Sequence, residues 1–329
     1  MDQAVQSWRR ATLVFPGQGS QHSGMASRLV QMSRAAADVF RRADDVLDMQ
    51  LSRLCVEGSD AELEDTAVQQ PATFVTSIAW LSALQERWES LDRRIEPYLL
   101  AGHSMGEYTA AVAAGSITFE EGALLVKERG RLMEEAGRDN PGGMASILGL
   151  PEATIEEICQ EASTEGYVGL ATSNCEGQSV ISGAISAVRR AMELAEKARA
   201  RRVVRLPISI AGHSPLMARA SEGMGRILQR LNITDPRQPI IGNTRAQVIS
   251  TKPEVLEELR DQIIMGVRWQ KSVEEMIARG SDLIIEVGPG SVLTRVVRRI
   301  DYSIPSLSIS DEHEGLFSEK FRELEAAAL

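Results

Sequence analysis

Tyr98-Leu99-Leu100-Ala101-Gly102-His103-Ser104-Met105-Gly106-Glu107-Tyr108-Thr109-Ala110-Ala111 carries a short apolar run into an alanine-rich one, with a serine between two glycines near the join. Residues 98–103 read as a buried strand, and residues 105–114 as a helix that Gly115 stops. A G-x-S-x-G at such a junction thrusts its serine out above the sheet edge, and the flanking glycines let strand and helix approach closely. Ser104 is therefore the expected nucleophile of a covalent acyl chemistry. The backbone N–H of Met105, at the helix start, then points at the developing oxyanion. The plainer reading is a packing turn built of small residues.

Outward from the elbow, strands and helices alternate. Residues 11–15 (ATLVF) form an apolar run stopped by Pro16-Gly17, hence a strand and a tight loop. Residues 23–47 read as a helix, and 57–89 as a turn followed by a helix with Pro71 in its first turn. Thr118 and Glu121 make a capping box that opens a helix to about Ala136, ended by Gly137. This alternation points to an α/β domain with a mainly parallel sheet. After the polar joint 138–143 (RDNPGG) the order changes to strand 144–150, helix 153–162, strand 167–171, strand 179–182, helix 184–200 and strand 203–206. That βαββαβ order is the ferredoxin-like arrangement. Pro207 returns the chain to the larger unit, with strands at 239–241 and 283–287. The expected division is a core from residues 1–140 and 208–329 with a small domain, 141–207, inserted between them.

The chain has 329 residues, 43% hydrophobic and 25% charged, ordinary for a globular protein whose core needs no disulfide or metal staple. Cys55, Cys159 and Cys175 are scattered, without a CxxC pair or a nearby histidine cluster. A metal site is therefore not expected, and a reducing cytoplasm is. The opening MDQAVQSWRR lacks the apolar stretch of a signal peptide, and no run of about 18 apolar residues is present to span a membrane. A net charge of -10 argues against a nucleic-acid partner. Basic residues bunch at Lys197, Arg199, Arg201, Arg202 and Arg205, and again at Arg295, Arg298 and Arg299. They are either solvated faces or a landing patch for an acidic partner.

A serine nucleophile needs a base, usually histidine. The chain has 4 histidines. His103 adjoins the nucleophile, where its side chain diverges from that of Ser104; His22 sits in a Gly-rich loop and His313 in a polar tail. His213, in a loop just after the second domain joint, is the base by elimination. Gln18, in the loop after the first strand, reaches the same sheet edge, either to complete an oxyanion hole with its amide or as part of a plain Gly-rich turn. A dinucleotide fingerprint is rejected there, because His22 stands where the third glycine belongs. Arg129 has Leu125, Val126, Leu132 and Met133 at helical offsets, so it faces inward, whereas Arg131, among Lys127, Glu128, Glu134 and Glu135, faces solvent. An inward guanidinium must find an anion, in the protein or in a substrate. Cys175, without a histidine near it in sequence, reads as a packing residue.

Together these motifs resemble the malonyl-CoA:acyl-carrier-protein transacylase family of fatty-acid and polyketide synthesis. FPGQGSQ (15–21), GHSMGEY (102–108), ERGRLM (128–133), GHSPLM (212–217) and EVGPGSVL (286–293) occur in family order over nearly the whole chain. The resemblance implies an α/β-hydrolase-like core carrying an inserted ferredoxin-like domain. It implies Ser104 as acylated nucleophile, His213 as general base, Met105 N–H and Gln18 as oxyanion hole, and Arg129 as holder of the malonyl carboxylate. Gln262, in DQIIMGVRW, matches the position whose backbone carbonyl orients the histidine. Asn174 matches a pocket asparagine, with His103 beside it in the pocket, and Thr172 replaces a second family asparagine.

The implied activity moves a malonyl group from coenzyme A through a Ser104 ester to the phosphopantetheine thiol of an acyl carrier protein, with no permanently bound cofactor. In modular polyketide acyltransferases the four residues ending at the catalytic histidine sort malonyl from methylmalonyl users. Here Ile210-Ala211-Gly212-His213 matches neither usual pattern, and malonyl is the default for a free-standing member. A methylmalonyl or other dicarboxylic acyl transferase is the near alternative. An acyl hydrolase with the same Ser104-His213 pair is the next, although it has no use for an inward carboxylate clamp. A carrier-binding scaffold with a dead site is opposed by the intact Ser104, His213, Gln18 and Arg129.

Overall fold

The computed structural model describes residues 10–64, 66–91, 96–311, 313, 315–319 and 321–322. Residues 1–9, most of the stretch read for a signal sequence, lie outside the described residues. The described strands run in chain order β1 (Ala11–Phe15), β2 (Leu99–Gly102), β3 (Gly142–Leu148), β4 (Val168–Cys175), β5 (Gln178–Ala184), β6 (Arg202–Arg205), β7 (Ile240–Ile241), β8 (Val248–Ile249), β9 (Leu283–Glu286) and β10 (Ser306–Ser308).

They form two sheets. The larger has the order β10-β9-β1-β2-β7-β8 and is parallel except at the β7–β8 edge. Its central strands are apolar without alternation because both faces are covered. Leu13, Phe15 and Leu100 enter one core, while Val14, Leu99 and Ala101 enter the other. The smaller sheet, β4-β5-β3-β6, is antiparallel. Helices Glu152–Ala162 and Ile185–Lys197 pack on it around Ile147, Ile155, Ile181 and Val188. The fold is thus an α/β-hydrolase-like core with a mainly parallel sheet, plus a ferredoxin-like unit.

Three local expectations are corrected. The helix expected over 23–47 is two, Ser27–Met32 and Arg34–Leu47. Ser33 lies extended between them at φ -131°, and its side chain caps the second by accepting from Ala36 N–H. Pro71 lies beyond the first turn of its helix, Thr66–Glu89, whose added N-terminal turn carries Gln70, anchored by Arg129. Gly137 does not end its helix, which runs Phe119–Asp139. A Cβ there would lie 2.6 Å from Ile210 Cγ2, so that glycine serves close packing. Gly115, at φ +72°, does end the helix Gly106–Ala113.

The two sheets are also joined away from the chain crossings. Ser173 N–H donates to Val267 O at 2.9 Å and Val267 N–H to Ala171 O at 2.8 Å, tying β4 to the loop after helix Lys252–Asp261.

Candidate active site

Ser104 sits between β2 and the helix Gly106–Ala113 at φ +53°. Such a backbone costs a non-glycine residue on the order of 1–3 kcal/mol, so its surroundings must hold it. They do so through close contacts that only glycine permits. A Cβ on Gly102 would lie 1.9 Å from the Gly106 carbonyl carbon, and one on Gly106 would lie 2.2 Å from Phe15 O. Ser104 N–H donates to Asn243 Oδ1 at 2.7 Å, and Glu107 N–H to Ser104 O at 3.1 Å.

His213 Nε2 lies 2.7 Å from Ser104 Oγ. Its Nδ1 faces two backbone carbonyls, Gln262 O at 2.6 Å and Met265 O at 3.2 Å. A nitrogen facing only acceptors carries the proton, which leaves Nε2 as the lone-pair side turned to the serine. Burial, reinforced by the Arg129 charge, pushes His213 down to about 3, so the imidazole is neutral and ready to accept.

Arg129 is 1% exposed and so faces inward as its sequence neighbours required. Nη1 donates to Gln70 Oε1 at 2.8 Å, and Nη2 to Gln262 Oε1 at 2.9 Å and to Ser104 Oγ at 3.2 Å. Nε is buried without an acceptor among the described residues. The partners are amides and a hydroxyl, and the Tyr108 ring lies 5.8 Å from the guanidinium carbon. Among the described residues no carboxylate lies within ion-pair distance of Arg129. Such a guanidinium is available to an anionic ligand.

Ser104, His213, Arg129, Gln18, His103, Asn174 and Thr172 line one cavity of about 220 Å³ between the two sheets. His103 Nε2 meets Asn174 Oδ1 at 2.9 Å, and its ring packs edge-on against Trp269. Thr172 Oγ1 is buried without a hydrogen-bond partner among the described residues. The Gln18 side-chain amide donates to Gln69 Oε1. Gln262, fully buried, also sends Nε2 to Ser104 O at 3.1 Å. Of the basic stretches, Arg299 is engaged with Gln178 and Glu176, and Arg298 with Ser306 O. Lys197, Arg199, Arg201, Arg202 and Arg205 are exposed and in no ion pair among the described residues.

Residues 12–308 match the family model of the acyl transferase domain. The chain belongs to the acyl transferase domain family. It is 38% identical over 303 residues to a malonyl CoA-acyl carrier protein transacylase of Bacillus subtilis, covering 92% of this chain and 94% of that one. An acyl-carrier-protein S-malonyltransferase from Burkholderia pseudomallei superposes with TM-score 0.88 at 32% identity, covering 97% of this chain and 99% of that one. A malonyl-transacylase in complex with its type II polyketide acyl-carrier protein also gives TM-score 0.88 at 32% identity, with coverages of 97% and 99%.

Three residues of this acyl transferase domain site escaped the sequence reading. Gln70 and Gln262 share the Arg129 guanidinium, and only the carbonyl of Gln262 was anticipated. Asn243 and Glu107 support the elbow from below. The available signal was topological: Asn243 follows the strand beside β2, at the carboxyl ends where open α/β sheets place their sites.

Proposed function

We propose that this acyl transferase carries a malonyl group from coenzyme A, as a Ser104 ester, to the phosphopantetheine thiol of an acyl carrier protein. The observation that carries the reading is the buried Arg129 guanidinium, 3.2 Å from the nucleophile and without a carboxylate partner among the described residues. A fork of N–H donors is suited to a carboxylate held bidentately, and malonyl bears its free carboxylate two carbons from the reacting carbonyl. An acetyl or long-chain acyl group has nothing to offer it.

The cycle is ping-pong. His213 Nε2 takes the Ser104 proton as Oγ attacks the thioester carbonyl. Met105 N–H and the backbone N–H of Gln18, whose side chain is turned to Gln69, receive the oxyanion. His213 returns the proton to the leaving thiolate, coenzyme A departs, and the carrier thiol repeats the sequence in reverse. The acyl group arrives and leaves on thioesters, so no resident cofactor enters the reaction.

The chain divides at residues 140/141 and 207/208 into core, small domain and core. No described helix is long and apolar enough to cross a membrane. The thiols of Cys55, Cys159 and Cys175 are free and buried, which fits the cytoplasm.

Mass spectrometry after mixing with malonyl-CoA tests the reading: a malonyl adduct confined to Ser104, absent in Ser104→Ala, is expected. Free malonate without an adduct would replace transfer by hydrolysis. Arg129→Ala is expected to lose malonyl loading while acetyl loading persists or improves. Malonyl loading that survives the change removes the clamp.

A further inference from the structure

Parallel strands β2 and β7 pair at Leu100↔Ile240 and Ala101↔Ile241, and there the ladder stops. Two residues further on, the side chain of Asn243 continues it. Its Nδ2 donates to Gly102 O at 2.6 Å and its Oδ1 accepts from Ser104 N–H at 2.7 Å. One carboxamide therefore occupies the place of a peptide unit, satisfying the last strand carbonyl and the N–H of the nucleophile itself. Asn243 is fully buried. Its own N–H donates to Glu107 Oε1 at 2.7 Å. Glu107 lies on the elbow helix one turn past Ser104, which closes a ring: strand end, serine, helix, carboxyl, asparagine.

Glu107 contributes to no chemistry described above, yet it is buried, and its Oε2 has no hydrogen-bond partner among the described residues. Glu258, both of whose oxygens are taken up by Thr244 at 2.8 and 2.6 Å, lines a small cavity together with Glu107.

We propose that Asn243 and Glu107 are positioning residues for the reaction, Asn243 holding the strained Ser104 backbone as a surrogate strand and Glu107 fixing Asn243. The proposal rests on Ser104 being the acylated residue. Burial and the neighbouring Glu258 push the Glu107 carboxyl well above the ordinary carboxylate range. A neutral acid holds Asn243 through a carbonyl oxygen that glutamine also possesses, and it leaves the Arg129 charge unspent.

The test is stopped-flow loading of the full chain with malonyl-CoA, with thermal unfolding to establish that each variant is folded. Displacing a reacting atom by about 1 Å can cost on the order of 10²-fold, so Asn243→Ala is expected to lower kcat roughly 10- to 100-fold while KM stays within about 2-fold. Asn243→Asp keeps the size and the acceptor but loses the donor to Gly102 O; it covers the case of an unfolded alanine variant, and the same kcat loss is expected. Glu107→Leu lowers kcat, and Glu107→Gln restores the greater part of it. A folded Asn243 variant that loads at the wild-type rate, a loss lying wholly in KM, or a Glu107→Gln as slow as Glu107→Leu overturns the proposal. If the wild-type chain acquires no adduct on Ser104, it is the functional reading that has failed.

Discussion

His213 Nδ1 lies 2.6 Å from the backbone carbonyl oxygen of Gln262, so a peptide dipole, rather than a carboxylate, orients the imidazole proposed as the base. The side chain of the same residue reaches Arg129. One residue thus holds the imidazole with its main chain, and both the Arg129 guanidinium and the Ser104 carbonyl with its side chain, so main-chain and side-chain duties separate by mutation. Gln262→Ala leaves the carbonyl in place. A hydrogen bond to a charged group is worth about 1.5–3 kcal/mol, so KM for malonyl-CoA is expected to rise about 10-fold or more, with a smaller change in kcat. Steady-state loading kinetics check this; a loss confined to kcat would contradict it.

Arg129→Lys preserves the charge but not the fork. Gln70 and Gln262 together hold Nη1 and Nη2 in place, and an ammonium cannot occupy both positions. A fall in malonyl kcat/KM of about 10- to 100-fold is expected, with acetyl transfer little changed. Equal losses for the two acyl groups would show that the arginine acts on the serine alone.

The pH dependence follows from the buried base. With His213 at about 3 against an ordinary 6.5, the loading rate should show no break near the ordinary histidine value as pH falls from about 8 to about 5. The unfolded chain takes up the proton first. The stability contribution is therefore complete above 6.5 and is lost as pH falls from 6.5 towards about 3. Chemical denaturation at several pH values reads the slope, and a rate that halves near 6.5 would place the imidazole in contact with solvent.

Arg202 and Arg205 stand on the exposed edge strand β6, immediately before Leu206 in the cavity wall. If they guide an acidic carrier, Arg202→Glu with Arg205→Glu lowers the rate of transfer to the carrier at low salt and leaves loading from malonyl-CoA intact. An unchanged carrier rate at low salt rejects these arginines as a landing site.

Gly106→Ala would drive a Cβ to 2.2 Å from the Phe15 carbonyl oxygen, a backbone atom that cannot rotate away. Overpacking of this kind costs roughly 1–3 kcal/mol or more, read as a lower unfolding midpoint together with a loss of loading.

The elbow, the inward arginine and the histidine that faces the serine were legible because each leaves a local mark. The strand-to-helix change frames Ser104, helical spacing turns Arg129 inward, and a scarcity of histidines isolates His213. The supporting polar groups leave none. Asn243 lies beyond a strand of two residues, too short for any periodicity, and its partners Gly102 and Glu107 are over 130 positions away along the chain. Gln70 is an ordinary helix residue until Arg129 is placed beside it. The breaks at Ser33 and Gly137 went the wrong way for a related reason: a cap formed where the pattern ran on, and a glycine was spent on packing against Ile210 instead of on a stop.

The pair of hydrogen bonds between β4 and Val267 lies just past Gln262 and Met265, whose carbonyls hold His213. A jaw that swung open about the chain crossings would drag on that loop and pull the imidazole off the serine. Opening by a hinge at the chain crossings would therefore come at the expense of the contact between imidazole and serine. On the proposed function, the long, thin arms of coenzyme A and of the carrier would thread a standing aperture, and discrimination among acyl groups would fall to what fits inside it.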